Sequence, residues 1–275
     1  MNALKTLPGL NWVCGVTCLD DKLFVLYQRK KNQLEVYSTR TSEDFKRLDL
    51  FTVQGFAGRD WHNHNDMTSS PQDKCLYISE HSYGAVHKSA LDGQLIMSFA
   101  VPKSPRGISM TSNNTLLVMC YHPSPETVRE PSRKLVELCG RSGTYIRQVE
   151  LQSDTEHPYH AVELYGDGPT QQCVIAHSCC DNARSKVAVV DRDEGNVLQR
   201  YAETDTPLFF IRYLAVDKHN FVFAADQHGG VVTVISPSLQ FVRSVKLANA
   251  SRLYLDNATR RLYVGHLHGV TVLQL

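Results

Sequence analysis

The chain has 275 residues, of which 42% are apolar, 9% aromatic and 21% charged, a composition that supplies a sizeable core and excludes disorder. Its 29 basic and 28 acidic side chains leave a formal charge of +1, without the basic excess of a phosphate-tracking surface, so no nucleic-acid partner is expected. No apolar run approaches the roughly 18 residues of a membrane span, and the start lacks a basic segment followed by an apolar stretch, so the sequence reads as cytoplasmic with no membrane partner.

One form repeats along the chain: an apolar strand, a polar turn, a stronger strand, a loop, a third strand, a turn and a fourth. The first passage is GVTCL (15–19), KLFVLY (22–27), QLEVYS (33–38) and FKRLDL (45–50), and the second is DMTSS (66–70), CLYISE (75–80), AVHKSA (85–90) and LIMSFA (95–100). The third is GISMT (107–111), LLVMCY (116–121), KLVELC (134–139) and YIRQVE (145–150). AVELY (161–165), CVIAHS (173–178), KVAVVD (186–191) and VLQRYA (197–202) form the fourth. LAVD (214–217), FVFAAD (221–226), VVTVIS (231–236) and FVRSVK (241–246) form the fifth. The sixth, RLYLD (252–256), RLYVGH (261–266) and VTVLQL (270–275), has no fourth strand. No segment of a dozen residues keeps an i, i+3, i+4 apolar pattern, so helices are not expected.

A four-stranded sheet leaves hydrogen-bonding edges, and a radial array of such sheets protects them only when its ends meet. The leading segment NALKTLPG (2–9) has the length and composition to supply the missing strand. The expectation is an all-β, six-bladed β-propeller of four-stranded antiparallel blades, one domain over residues 1–275, closed by the N-terminal strand completing the last blade. The stretches CLYISEHSYGAVHKSALDGQ and FVFAADQHGGVVTVISPS resemble the NHL type of propeller repeat, whose second strand ends in an acidic residue before a loop of Asn, His or Gly. That resemblance covers all six blades loosely and the second and fifth closely, and it implies the same fold.

In an up-and-down blade the start of the innermost strand and the end of the second lie at one rim. Aligning the repeats puts Cys14, Asn65, Arg106, His160, Arg212 and Ser251 at equivalent positions before the inner strands, with Tyr213 and Arg252 beside them. The second strands end at Tyr27–Arg29, Glu80–His81, Tyr121–His122, His177, Asp226 with His228, and His266 with His268. Counting His64 and His160, eight of the twelve histidines fall on this face. Imidazoles and guanidiniums facing one channel suit an anionic or metal-bound ligand. The candidate ligand-binding set is therefore Asn65, Arg106, His160, His177, Arg212, Tyr213, His228, Arg252 and His266.

Two enzyme families are distantly similar in architecture. In the peptide-amidating lyase, three histidines before inner strands hold zinc, and only His160, in HPYHAVEL, matches that placement. In the gluconolactonase and senescence-marker group a Glu beside the first inner strand, with Asn and Asp deeper, binds a divalent metal; Cys14 stands at the Glu position and Asn65 is the one counterpart. His122, His160 and His177 from neighbouring repeats form a candidate site for a divalent transition metal such as zinc. A metal-free alternative uses His160 as acid or base with Arg106 and Arg212 as anion clamps. No Ser-His-Asp set, phosphate-cradling glycine loop or HExxH occurs.

Other signals are slighter. Most of the eight cysteines sit inside apolar runs such as CLYI and CVIA, as small core residues, while Cys179-Cys180 is a vicinal pair in a polar loop with potential for a soft metal or oxidation. RKKNQ (29–33) reads as a solvated basic loop, and HPSPETVREPSRK (122–134) as a proline-broken insertion overhanging the mouth, a lid or partner contact. Two functions stay open: a recognition propeller for a small polar or anionic ligand, a peptide or a protein, and a small-molecule lyase or hydrolase in the same channel.

Overall fold

The computed structural model describes residues 1–27, 33–40, 45–54, 65–102, 104–122, 132–166, 171–178, 185–201 and 208–275, except the side chains of Asn2 and His122. Among these residues the regular structure is all strand. Six four-stranded antiparallel sheets follow one another along the chain, numbered here as blades I to VI. Their innermost strands are Val13–Leu19, Asp66–Ser70, Pro105–Met110, Pro158–Glu163, Ile211–Val216 and Arg252–Asp256. Each touches the innermost strand of the next blade, and that of blade VI touches that of blade I, so the sheets stand around one axis as the repeat pattern requires.

Closure follows the expected route. Asn2–Pro8 is the outermost strand of blade VI and pairs antiparallel with Gly269–Gln274, from Asn2 opposite Gln274 to Pro8 opposite Gly269. The ring thereby exchanges a free strand edge for a ladder of backbone hydrogen bonds between the two ends of the chain. Gly269 has φ +151, and a Cβ there would lie 1.9 Å from the Leu7 carbonyl oxygen, so the seam demands glycine.

The core is divided among the blade interfaces. Six clusters of buried apolar side chains are present, each shared by two neighbouring blades; that between I and II joins Phe24 and Leu26 to Met67, Leu76 and Ile78. This is why second and third strands read as nearly continuous apolar runs: both of their faces are covered. The outer strands alternate towards solvent instead, leaving Ile96, Ile146, Leu198 and Phe241 exposed. Buried ion pairs reinforce some seams. Arg192 bridges Glu137 of blade III at 2.6 Å and Glu163 of blade IV at 3.0 Å.

Strand boundaries depart from the sequence expectation at the inner strands of blades I, III, IV and V, which begin two or three residues earlier than expected. The reason is a register shift at each start: between Val13 and Gly15, Pro105 and Ile108, Pro158 and His160, and Ile211 and Tyr213. Each is a β-bulge, which places an extra residue on one strand and re-aims its side chain. The bulged residues are Cys14, Arg106 with Gly107, Tyr159 and Arg212. A tally of residues that ignores bulges cannot see this.

Candidate functional site

The bulges sort the channel residues into two layers. The lower layer is a ring with one residue from each blade: Gly15, Asp66, Gly107, His160, Tyr213 and Arg252. Two glycines make room for the large members. A Cβ on Gly107 would fall 2.3 Å from Cδ2 of His160, and one on Gly265, opposite Arg252, would fall 3.0 Å from the Arg252 Cβ.

Arg252 is the hub of this ring. Its Nε donates to the Cys14 carbonyl at 2.6 Å, Nη1 to the Ser251 carbonyl at 2.7 Å and Nη2 to the Asn65 carbonyl at 2.9 Å. The guanidinium carbon lies 3.8 Å from the centroid of the Tyr213 ring, and Nε is 3.8 Å from the Asp66 carboxylate. One side chain thus ties together the inner strands of blades I, II, V and VI. Asp66 also accepts the Ile108 N–H at 3.0 Å, and its Oδ2 lies 3.6 Å from His160 Nε2. Burial pushes the Asp66 carboxyl up to about 6 against the opposing pull of Arg252.

His160 is held on both ring nitrogens. Nδ1 accepts the backbone N–H of Leu214 at 3.2 Å, which leaves the proton on Nε2, facing the Ile108 carbonyl at 3.4 Å and Asp66. Burial then lowers its pKa to about 4, so the ring is neutral at pH 7. Asp66, His160, Tyr213 and Arg252 are all buried at the level of this ring. Below them opens a funnel of about 270 Å³, whose walls include Thr68, Met110, Leu214 and Tyr254.

The layer above belongs to the channel mouth. Cys14, Asn65, Arg106, Tyr159, Arg212 and Ser251 occupy it, so Tyr159 and not His160 is the partner of the two arginines at this level. Guanidiniums and rings alternate here. Arg106 lies 4.5 Å from the Tyr121 centroid and 4.5 Å from that of Tyr159; Arg212 lies 5.5 Å from Tyr159 and 4.4 Å from Phe210. His228 extends the stack, lying on Phe210 at 4.4 Å with planes 13° apart, and His157 packs on Tyr121 at 4.8 Å. Asp226 fixes the far end: its carboxylate accepts the N–H groups of Phe209, Phe210 and Gly229 at 2.8, 3.0 and 2.8 Å. The chain enters the inner strands of blades I, III and IV through positive φ at Trp12, Ser104 and His157, a conformation that costs energy for side chains of this size.

The electrostatics of this mouth are one-sided. Among the described residues Arg106 and Arg212 have no carboxylate within ion-pair distance, and the Nε of each is buried without a hydrogen-bond partner. Arg106 donates from Nη1 to the Pro158 carbonyl at 3.4 Å, and a side-chain hydrogen bond with Tyr159 supports its charge. Burial lowers the pKa of both guanidiniums; Arg252 and Arg106 push that of Arg212 down further, while neighbouring tyrosines oppose the shift. Burial and then Arg106 lower the pKa of His157 as well. A buried donor without an acceptor costs about 1–3 kcal/mol, so this mouth holds donors and positive charge that the described residues leave unanswered.

The remaining sequence candidates disperse. His177 shares a face of its strand with Ile175 and Cys173, towards blade III, whereas Ala176, across from His160, lies in the cluster shared with blade V. His160 and His177 therefore leave opposite faces of blade IV. His177 is fully buried, both its nitrogens lack hydrogen-bond partners among the described residues, and burial lowers its pKa to about 4. His266 belongs to its own turn, with Nε2 beside the Thr271 hydroxyl at 3.1 Å and Nδ1 accepting the His268 N–H. Asn65 is buried, its Oδ1 accepting the N–H of His81 at 3.3 Å. His64, Cys179, Cys180, Gln28, Arg29, most of the basic loop and most of the 122–134 insertion lie outside the described residues, as does the His122 side chain. Sequence reasoning missed Tyr159, Phe210 and His157; the available signal was that Tyr159 adjoins His160 and Phe210 stands two residues before Arg212.

Around Cys14 the described residues do not fit a divalent metal of the lactonase kind. Cys14, at the position of the lactonase Glu, is buried with its thiol pushed up to about 11, chiefly by burial, and donates to the Trp12 carbonyl at 3.5 Å. Arg252 stands beside it, and the two lone-pair sites of the Asn65 and His160 side chains nearest the axis are already engaged. No group of three His, Cys, Asp or Glu suited to a metal ion occurs among the described residues.

No family model matches the chain, and no curated protein sequence matches it. Solved structures do. The chain is similar in fold to hydrazine synthase of Kuenenia stuttgartiensis, at 14% identity and TM-score 0.66 over 97% of this chain and 96% of that one. It is also similar to a gluconolactonase of Xanthomonas campestris, at 14% identity and TM-score 0.68 over 97% and 88%. At such identity the likeness shows the fold: a six-bladed propeller with neighbours among gluconolactonases.

Proposed function

We propose that the protein binds a small organic anion at the channel mouth, with Arg106 and Arg212 as its charged contacts and Tyr159, Phe210 and Tyr121 as its aromatic walls. One observation carries this reading: two largely buried guanidiniums, stacked between rings, have no carboxylate partner among the described residues. Stacking fixes a guanidinium in place and leaves its edge free for a carboxylate or phosphate, which is the geometry of planar, bidentate recognition. The NHL-like turns of blades II and V agree with a recognition propeller. Calorimetric titration of small carboxylates and phosphates tests the reading. Arg106→Ala and Arg212→Ala should each weaken binding at least about tenfold, and wild-type affinity should fall as salt rises. Equal affinity in wild type and both variants would refute it.

A second reading is hydrolysis of a small ester or lactone, favoured by the gluconolactonase among the structural neighbours. The candidate acid–base pair is Asp66 with His160, directly beneath the arginines, and the carboxyl held near 6 suits proton transfer at neutral pH. Acid release from a panel of lactones, compared between wild type and Asp66→Asn, checks it; no turnover by the wild type would retire it.

A further inference from the structure

We infer that the ligand carries two anionic groups joined by a short apolar spacer, a dicarboxylate-like molecule spanning Tyr159. The inference rests on the anion-binding reading and specifies its substrate class. Its basis is the separation of the two charges. Arg106 comes from blade III, Tyr159 from blade IV and Arg212 from blade V, so the blade order sets the ring between the guanidiniums.

Each guanidinium is also backed by a second ring on its outer side, Tyr121 for Arg106 and Phe210 for Arg212. Neither can slide towards the other without leaving one of its two stacks. The centroid distances of 4.5 and 5.5 Å from Tyr159 keep the two guanidinium carbons within about 10 Å of each other, a spacing at which each fork can take its own carboxylate. With the two ion pairs standing side by side and not in line, a spacer of roughly two to four carbons, which sets carboxylate carbons about 4 to 6 Å apart, fits within that separation. That spacer would cross the Tyr159 ring, which stands between the two charges.

The charge balance agrees. Among the described residues, Arg106, Arg212 and Arg252 gather on the axis, Asp66 lies beside Arg252 in the layer below, and no carboxylate lies within ion-pair distance of Arg106 or Arg212. A ligand with two negative groups would answer the two remaining charges.

Titration of the wild type with succinate, glutarate and adipate beside butyrate and hexanoate tests the inference. Binding of at least one diacid should be about tenfold tighter than that of the monoacids, because the second ion pair forms without a second loss of translational freedom. Arg106→Gln and Arg212→Gln should each abolish that preference and bind diacids and monoacids alike. Equal affinities for both acid classes in the wild type, with binding still dependent on both arginines, would overturn the inference and leave the anion site standing. Binding of none of the acids, or binding indifferent to both arginines, would overturn the two together. The wild-type comparison needs no variant, so a variant that fails to fold does not rescue the idea.

Discussion

Asp226 accepts the backbone N–H of Phe210 at 3.0 Å, and through that bond it sets the ring against which Arg212 stacks. Two further backbone N–H groups, of Phe209 and Gly229, end on the same carboxylate. Asp226→Ala should lower unfolding free energy by about 1–3 kcal/mol through the orphaned amides, and should weaken anion binding in proportion as Phe210 and His228 loosen. Urea denaturation and calorimetry read the two effects; unchanged anion affinity in a folded variant would detach Phe210 from the site.

Gly107→Ala is expected to be among the most damaging single-methyl additions. The new Cβ would meet His160 Cδ2 at 2.3 Å and the Tyr159 carbonyl oxygen at 2.6 Å, so the ring of side chains on the axis would have to shift. Overpacking of this kind costs about 1–3 kcal/mol or more. A thermal midpoint equal to that of wild type would mean that blade III can move away from blade IV.

Stability should decline on acidification, with a definite origin. Burial holds His160 and His177 at about 4, below the ordinary 6.5, so the unfolded chain takes up two protons that the folded chain refuses. Their contribution is complete above pH 6.5 and is lost as pH falls towards 4. Asp66, raised by burial to about 6, acts in the opposite sense, since the folded state keeps a proton that the unfolded state releases between about 4 and 6. Each shift corresponds to roughly 3 kcal/mol, so two histidines outweigh one aspartate. Urea midpoints at pH 7.0, 5.5 and 4.5 should fall, less steeply in His177→Leu and more steeply in Asp66→Asn. A wild-type slope retained in His177→Leu would show that its imidazole titrates alike in both states.

Removal of residues 1–9 should abolish cooperative melting near the wild-type temperature. The deletion strips the outer strand from Gly269–Gln274 and uncovers Val270 and Val272, which pack with Leu7 in the cluster between blades VI and I. Differential scanning calorimetry decides it, and a sharp, unshifted transition in the truncated chain would remove circular closure as a source of stability.

The sequence displayed the fold because propeller physics is periodic. Strands buried on both faces become unbroken apolar runs such as CVIAHS, turns fall between them, and a sixth repeat short of one strand declares where the N-terminus must go. The site was legible by half. Arg106, Arg212 and Arg252 all line the axis, yet His160 was grouped with the first two although it lies a layer below them. A bulge adds a residue without leaving any mark in the hydrophobic pattern, so counting alone set the histidine one place too high. Tyr159 and Phe210 escaped for a related reason: a ring beside a charged residue reads as core until the backbone shows that it is stacked on that charge.

The Arg252 guanidinium makes the centre of the ring a clasp: one side chain, bonded to the Cys14, Ser251 and Asn65 carbonyls, joins strands that the chain forms at opposite ends of its length. Its loss would loosen blades I, II, V and VI together and not one interface at a time.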